Sequence, residues 1–182
     1  MDQKVEAEII ARILNGDRQS YALFVEEYKT PIYNLAFRMT GNAGDADDLT
    51  QETFIRAYQN LWRFDPGRKF FTWLYTISIN LIRNHIKKVK NDDLRMRTEN
   101  IQDNENENQS PETLLIATQE SNKINSALLT LKYELRIMLI MKYQQELSFE
   151  EIAEITGKSV SAVKMQVYRG LEQLEQLMNN DL

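Results

Sequence analysis

Basic and aromatic side chains are concentrated in one short part of the sequence, between positions 64 and 90. This segment contains six lysine and arginine residues and one acid, Asp65, although the whole chain has a net charge of -5. It opens with FDPGRK, whose Pro66–Gly67 pair is typical of a tight turn. The following FFTWLYTISINLIRNHIKK places these polar side chains on one side of a helix: Thr72, Thr76, Asn80, Arg83 and Lys87. Such a basic, hydroxyl-rich face beside an aromatic-flanked loop suits a phosphate backbone and unstacked bases.

The aromatic side chains in this helix also have a simpler interpretation. Trp73 and Tyr75 lie among apolar residues that recur at helical spacing. Aromatics in that pattern usually supply buried area, so we expect both to belong to a core.

Few residues are suited to catalysis or metal binding. The chain has no cysteine, and His85 is its only histidine. Zinc sites need several such ligands, so no metal centre is expected. A phosphate loop, a nucleophile motif and a ligand cluster are likewise not recognisable in the sequence, and scattered carboxylates do not locate an acid–base pair. We therefore predict that the protein is not an enzyme and uses no cofactor or small-molecule substrate.

A second candidate surface precedes the basic segment, in DADDLTQETFIRAYQNLWR at positions 45 to 63. Helical spacing predicts a core stripe of Ala46, Leu49, Thr53, Phe54, Ala57 and Leu61. The opposite side carries Asp48, Gln51, Glu52, Ile55, Gln59 and Trp62. Acids combined with exposed apolar side chains suit docking on a basic partner. The spacing alone allows a second interpretation, in which the acids merely solvate the helix and Trp62 folds into the core.

A third pattern near the C-terminus, LSFEEIAEITGKSVSAVKMQVYRGLEQL, predicts a helix-turn-helix. Ser148 and Glu151 form a capping box, Gly157 supplies a left-handed helix end, and Ser159 can cap the second helix. The inward side carries Val160, Val163, Val167, Leu171 and Leu174. The opposite side carries Ser161, Lys164, Met165, Tyr168 and Arg169, where a recognition helix contacts DNA. An ordinary helical hairpin remains the alternative.

These elements predict an all-α protein of two small helical domains. Apolar residues recur at three and four positions throughout, and only 6 glycines and 3 prolines interrupt them. Residues 91–112 are rich in Asn, Asp and Glu, and they offer too little apolar area to offset the entropy of ordering. We therefore predict domains at 1–90 and 113–182 with a flexible acidic linker between them. No stretch has the pattern of a signal peptide or membrane span, which predicts a soluble cytoplasmic protein.

The order and spacing of these blocks resemble the extracytoplasmic-function group of bacterial sigma factors over almost the whole chain. The resemblance rests on DADDLTQETFIRAY, then FDPGRKFFTWLYTISIN, then an acidic linker and the helix-turn-helix. It implies an alternative-type sigma factor that binds core RNA polymerase and directs promoter-specific transcription initiation. The N-terminal domain would be sigma region two and the C-terminal domain sigma region four.

The resemblance also implies roles for particular residues. The acidic block would dock on a coiled coil of the polymerase beta-prime subunit through Asp45, Asp48, Gln51, Glu52 and Ile55. The minus-ten element would be read, with a flipped base, by Phe64, Asp65, Pro66, Gly67, Arg68, Lys69 and Phe70, with Asn80 and Arg83 near the strand. The minus-thirty-five element would be read by Ser159, Ser161, Lys164, Met165, Tyr168 and Arg169, while neighbouring helices meet the flap of the beta subunit. An anti-sigma factor is a further expected partner.

Several positions depart from the pattern of this group. Met165 and Gln166 stand where a small or hydroxyl residue and then arginine are common, and Gly170 replaces a usual alanine. Phe71 and Thr76 stand where serine and arginine are frequent. The other function that the sequence allows is a conventional helix-turn-helix regulator that binds DNA without polymerase.

Overall fold

The chain is helical over most of the residues that the structure describes. The computed structural model describes residues 1–99 and 119–180. Within these ranges the α-helices are α1 (Gln3–Leu14), α2 (Tyr21–Thr40), α3 (Ala43–Asn60), α4 (Phe70–Glu99), α5 (Gln119–Thr130), α6 (Tyr133–Leu139), α7 (Phe149–Thr156) and α8 (Val160–Asn180). The same ranges contain no strand, so the predicted all-α class is confirmed. None of the described helices is both long and apolar enough to cross a membrane.

The helices fall into an N-terminal set, α1 to α4, and a C-terminal set, α5 to α8. The sequence places the end of the first domain at Lys90, but α4 continues to Glu99. The predicted linker therefore begins within a helix, and its remaining residues, 100–112, lie outside the described part of the chain.

The core of the N-terminal domain is centred on Phe70, the first residue of α4. Its ring stacks on Phe24 of α2, with centroids 4.0 Å apart, and both rings are fully buried. The stripe that the spacing predicts on α3 is buried as well: Ala46, Leu49, Thr53, Phe54, Ala57 and Leu61. Thr72 was predicted on the polar side of α4 but is 3 % exposed. That prediction was wrong because helical spacing contains no information about the neighbouring helices, and both α2 and α3 pack against α4.

A buried carboxylate fixes the start of α4. Glu6 of α1 is 4 % exposed, and it accepts hydrogen bonds from the Tyr28 hydroxyl and, over 3.1 Å, from the Phe70 backbone N–H. The first N–H groups of a helix have no partner within the helix, and the helix dipole favours an anion there. Glu6 therefore joins α1, α2 and α4 through a single side chain.

The C-terminal domain packs α8 closely against α6. A Cβ atom at Gly170 would lie 3.0 Å from the Leu139 side chain, so the helices meet where α8 has no side chain. Gly170 thus has a packing role between α6 and α8. A π-helical turn at Ile140–Gln144 follows α6 and leads to Glu146, whose φ is 53°.

One contact between the two domains lies at the C-terminal end of α2. Arg136 of α6 is 8 % exposed, and its guanidinium donates to the Met39 carbonyl over 2.9 Å. A cation at a helix C-terminus satisfies a free carbonyl and complements the dipole. Gly41 follows with φ 73°, and a Cβ there would lie 2.9 Å from Leu129 of α5. Gly41 therefore ends α2 and also allows α5 to approach.

Replacing Glu6 with alanine should destabilise the protein by about 2–4 kcal/mol, because the Tyr28 hydroxyl and the Phe70 N–H would lose a charged acceptor in a buried site. Urea unfolding followed by circular dichroism measures this loss. Glu8→Ala, which removes an exposed acid from the same helix, should change the free energy of unfolding by less than about 0.5 kcal/mol. Equal effects of the two variants would contradict the capping role of Glu6.

Candidate nucleic-acid and polymerase interfaces

The outward side of α3 forms an exposed acidic surface. Asn42 caps the helix, its side-chain oxygen accepting from the Asp45 N–H over 3.0 Å. These side chains are exposed or half-buried, as the spacing predicts: Asp48, Gln51, Glu52, Ile55, Gln59 and Trp62. Trp62 is 66 % exposed, so the interpretation that it folds into the core was wrong. The surface combines carboxylates with large apolar groups.

Two acids of the predicted docking set have partners within the domain. Asp45 lies 3.2 Å from the Nε2 atom of His85 on α4, an ion pair when the imidazole is protonated. Glu52 accepts from Arg56 one turn later on the same helix. Asp48 has no ion-pair partner among the described residues, which leaves its carboxylate available to another molecule.

The loop between α3 and α4 is a turn anchored by aromatic residues at both ends. The N–H of Gly67 donates to the Asp65 carboxylate over 2.9 Å, and the N–H of Arg68 donates to the Asp65 carbonyl over 3.0 Å. Phe64 is 8 % exposed and Phe70 is fully buried. Both are in the set predicted to contact DNA, but in this structure they pack in the core. Their burial anchors both ends of the loop, and the exposed residues of the predicted set are those between them.

The loop exposes its two cations. Arg68 and Lys69 are both exposed, and each forms an ion pair with α7 of the C-terminal domain. Pro66 and Gly67 are exposed too, and their carbonyl groups face the side chain of Gln3 on α1. The loop is thus held by α1 on one side and by α7 on the other.

An open cleft of about 320 Å³ lies between α3 and α4 beside this loop. It combines two arginines, three amides and an indole, and its lining residues are Arg56, Asn60, Arg63, Trp73, Ile77, Asn80, Leu81 and Asn84. Cations and amides next to an aromatic face are suited to phosphate groups and to an unstacked base. The sequence identified Asn80 alone among the polar members of this cleft.

The other polar residues of the cleft were missed, although the spacing contains a signal. Arg56, Asn60 and Arg63 recur at intervals of four and three, as Asn80 and Asn84 do at four, which places each set on one side of its helix. Arg83, predicted beside Asn80, is not in the cleft. Its guanidinium instead lies 5.7 Å from the ring centroid of Tyr133 in the C-terminal domain.

The helix-turn-helix forms as its local signals predict. Ser148 and Glu151 make the capping box of α7, and Gly157 ends that helix with φ 68°. The Ser159 hydroxyl accepts from the Ala162 N–H over 3.2 Å at the start of α8. The side of α8 that faces away from the core exposes Ser161, Lys164, Met165, Tyr168 and Arg169. A polar, cationic helix face with two large apolar groups is therefore free to enter a groove.

Comparison with known proteins identifies both domains. Residues 24–91 match the Sigma-70 region 2 family, and residues 121–174 match the Sigma-70, region 4 family. The ECF RNA polymerase sigma factor SigW of Bacillus subtilis is 37% identical, over 94% of this chain and 95% of its own length. The RNA polymerase sigma-H factor of Pseudomonas aeruginosa is 27% identical, over 98% and 96%. The sigma factor RpoE of Bartonella quintana, solved with the anti-sigma factor NepR, has the same fold, with a TM-score of 0.72, 19% identity, and coverage of 90% of this chain and 99% of that one.

The two helical domains and their matches define a sigma-70-type transcription initiation factor. Sigma factors of this type direct RNA polymerase to promoters and are not enzymes. Within that class, the chain belongs to the extracytoplasmic-function (ECF) group of RNA polymerase sigma factors. It is an alternative sigma factor, and the conventional helix-turn-helix regulator that the sequence also allowed is not supported.

Proposed function

We propose that the N-terminal domain, residues 1–90, binds core RNA polymerase and reads the minus-ten element, and that the C-terminal domain, residues 113–182, reads the minus-thirty-five element. The observation that supports this assignment is that two different sides of α3 are accessible to other molecules. Its acidic surface points outward, while Arg56 and Asn60 of the same helix line the cleft. Because both surfaces belong to the same helix, a partner that binds the acidic side would lie at a fixed distance from the cleft.

The acidic surface of α3 is suited to the beta-prime coiled coil of the polymerase. Charged groups across an interface steer association and fix its register. Ile55 is 50 % exposed and provides an apolar contact among the acids. Asp48, Gln51, Glu52 and Ile55 are the proposed contacts, and Asp45 joins them through the first turn of the same helix.

The loop and the cleft together are suited to melted minus-ten DNA. Arg68 and Lys69 would hold phosphates, and the cleft would receive an extruded base, whose unstacking costs a few kcal/mol. Asn80 would read the edge of that base, since an amide offers both a donor and an acceptor. Trp73 is half-buried beside the cleft and offers a ring on which a base can stack.

The exposed side of α8 is suited to duplex DNA at the minus-thirty-five element. Lys164 and Arg169 would contact phosphates or base edges, and Tyr168, 62 % exposed, would pack against the groove wall. Ser159 and Ser161 lie at the N-terminus of α8, where backbone N–H groups attract phosphate. The helices around it would meet the flap of the beta subunit.

The remaining proposals follow from the ECF family. We propose that the protein acts in the cytoplasm with polymerase, that it has no catalytic activity or cofactor of its own, and that an anti-sigma factor restrains it. The Bartonella quintana relative was solved with such a factor.

Charge reversal of Asp48 to lysine should weaken core polymerase binding about 10-fold to 100-fold, because a like charge would face a basic partner. Fluorescence titration of the labelled protein with core enzyme measures this. Asp47→Lys reverses a neighbouring exposed acid on another side of α3 and should have little effect. If both variants bind core enzyme like the parent, the docking surface lies elsewhere.

Replacing Asn80 with alanine should change the base preference at a single minus-ten position, with a loss of about 1–3 kcal/mol for the preferred base. Transcription of a randomised minus-ten library by the reconstituted holoenzyme gives the preference directly. Asn91→Ala, the same exchange at an exposed site of α4 outside the cleft, is the control. Identical preferences for parent and Asn80→Ala would exclude base reading by this residue.

Alanine at Lys164 or at Arg169 should reduce holoenzyme binding to a promoter by about 1–3 kcal/mol if the contact is to a base edge. A phosphate contact would instead weaken binding on all sequences and flatten its salt dependence. Binding is measured over a salt series, with Lys123→Ala on α5 as the control. If neither pattern appears for either residue, the other side of α8 must face the DNA.

A further inference from the structure

A short 3-10 turn, Leu61–Arg63, follows α3 and presents two exposed side chains beside the cleft. The Phe64 N–H closes this turn by donating to the Leu61 carbonyl over 3.0 Å. Leu61 and Phe64 are both buried, so the core holds the backbone on either side of the turn. Trp62 and Arg63 lie between these two anchors, and both are exposed. The turn therefore displays an indole and a guanidinium next to each other.

The guanidinium of Arg63 lies over the indole ring of Trp62, with its central carbon 4.6 Å from the ring centroid. A cation at this distance from an aromatic face is attracted by the quadrupole of the ring. Stacking uses the flat face of the guanidinium, whereas its N–H donors lie in the plane of the group and stay free. The contact thus orients Arg63 without consuming its hydrogen bonds.

Arg63 also lines the cleft between α3 and α4, where cations are few. The lining residues of α4 are aromatic, apolar or amide side chains, and none is a cation. Arg56, the other cation of the lining, is paired with Glu52. Arg63 forms no ion pair within residues 1–99 and 119–180. It is therefore the cleft cation whose donors are available to an anion.

We propose that Trp62 and Arg63 form a phosphate clamp at the edge of the cleft. Arg63 donates to a phosphodiester group of the melted minus-ten strand, and Trp62 is the positioning residue that holds its guanidinium in place. This inference rests on the proposed function of the cleft and deepens it, because it adds the contact that holds the backbone of a nucleotide whose base enters the cleft.

A phosphodiester group is the ligand that this pair fits. The planar fork of a guanidinium matches two phosphate oxygens at once. A base in the cleft carries its own phosphate one sugar away, so a cation in the lining lies near the backbone of the same nucleotide. A guanidinium that is already held against a ring loses less conformational freedom when it binds. The stacked arrangement therefore favours binding before any DNA is present.

The ring of Trp62 contacts a cleft residue, which favours the cleft over the polymerase as the site that it serves. Trp62 follows Ile55 by about two helical turns, so spacing alone would add it to the acidic docking surface. However, α3 ends at Asn60, and a 3-10 turn rotates by about 120° per residue instead of about 100°. Its stacking partner is Arg63, whose side chain lines the cleft.

The test measures binding of the reconstituted holoenzyme to a fluorescent single-stranded minus-ten oligonucleotide, by anisotropy over a salt series. The variants are Arg63→Ala, Trp62→Ala, Trp62→Phe, and Trp62→Ala combined with Arg63→Ala. Arg18→Ala is the matched control, because it removes an exposed arginine outside the cleft. Circular dichroism checks that each variant is folded, and titration with core enzyme measures polymerase affinity separately.

Arg63→Ala should weaken binding about tenfold and lower the slope of log affinity against log salt by about 0.7, as for one phosphate contact on a single strand. Trp62→Ala should weaken binding about twofold to fivefold, as for one exposed cation–π contact. Trp62→Phe keeps an aromatic face and should restore most of that loss. In the Arg63→Ala background, Trp62→Ala should have no further effect, because a positioning residue acts only through its partner.

Three results would overturn the clamp. Additive losses in the double variant would show that Trp62 contacts the strand by itself. A lower affinity of Trp62→Ala for core polymerase would assign the indole to polymerase docking. An unchanged salt slope for Arg63→Ala, or an equal loss for Arg18→Ala, would exclude a phosphate contact by Arg63.

Asn80→Ala, measured on the same oligonucleotide and on versions with altered bases, separates the clamp from the proposed function of the cleft. A changed base preference for Asn80→Ala, with parental binding by Arg63→Ala, would keep the cleft as the minus-ten site and remove only the clamp. Parental behaviour of both variants would remove the cleft from minus-ten recognition, and the clamp with it.

Discussion

The start of α4 is the constraint on which the N-terminal domain depends. Phe70 stacks on Phe24, and its N–H is held by the buried carboxylate of Glu6. A buried carboxylate is tolerated only when its oxygens are satisfied, and here Tyr28 and Phe70 satisfy them. This arrangement fixes the point at which the loop between α3 and α4 ends and α4 begins.

The position of the loop and that of the cleft both depend on where α4 begins. Phe64 anchors the other end of the loop against Phe70 and Trp73, so the exposed turn between these rings has little freedom. The same packing sets α4 beside α3 and opens the cleft between them. An acidic surface outside and a basic, amide-rich cleft inside thus share one rigid frame, which suits a protein that contacts a polymerase and a promoter together.

The charges of the chain are used in two ways. The net charge of -5 is unfavourable for binding DNA alone, and the cations are gathered into one segment. Acids on α3 point outward, while acids on α7 point inward to Arg68 and Lys69.

Local sequence patterns determined the helix ends and the buried helix faces of this protein. The buried stripe of α3 and the capping box of α7 follow from residues within a few positions of one another, as does the left-handed end at Gly157. Side-chain spacing and backbone preference are short-range properties, so the sequence predicts them directly. The sigma-type organisation, read from the order and spacing of such blocks, was confirmed by the matches to both sigma-70 regions.

Tertiary packing decided the rest. Phe64, Phe70 and Thr72 are buried through packing between separate elements, and helical spacing contains no information about such neighbours. The cleft joins residues of two helices, and the ion pairs of Arg68 and Lys69 join positions more than 80 apart in the sequence. Spacing along one helix orients a side chain relative to its own axis. Which other surface that side chain meets is decided only when the helices, and then the domains, pack together.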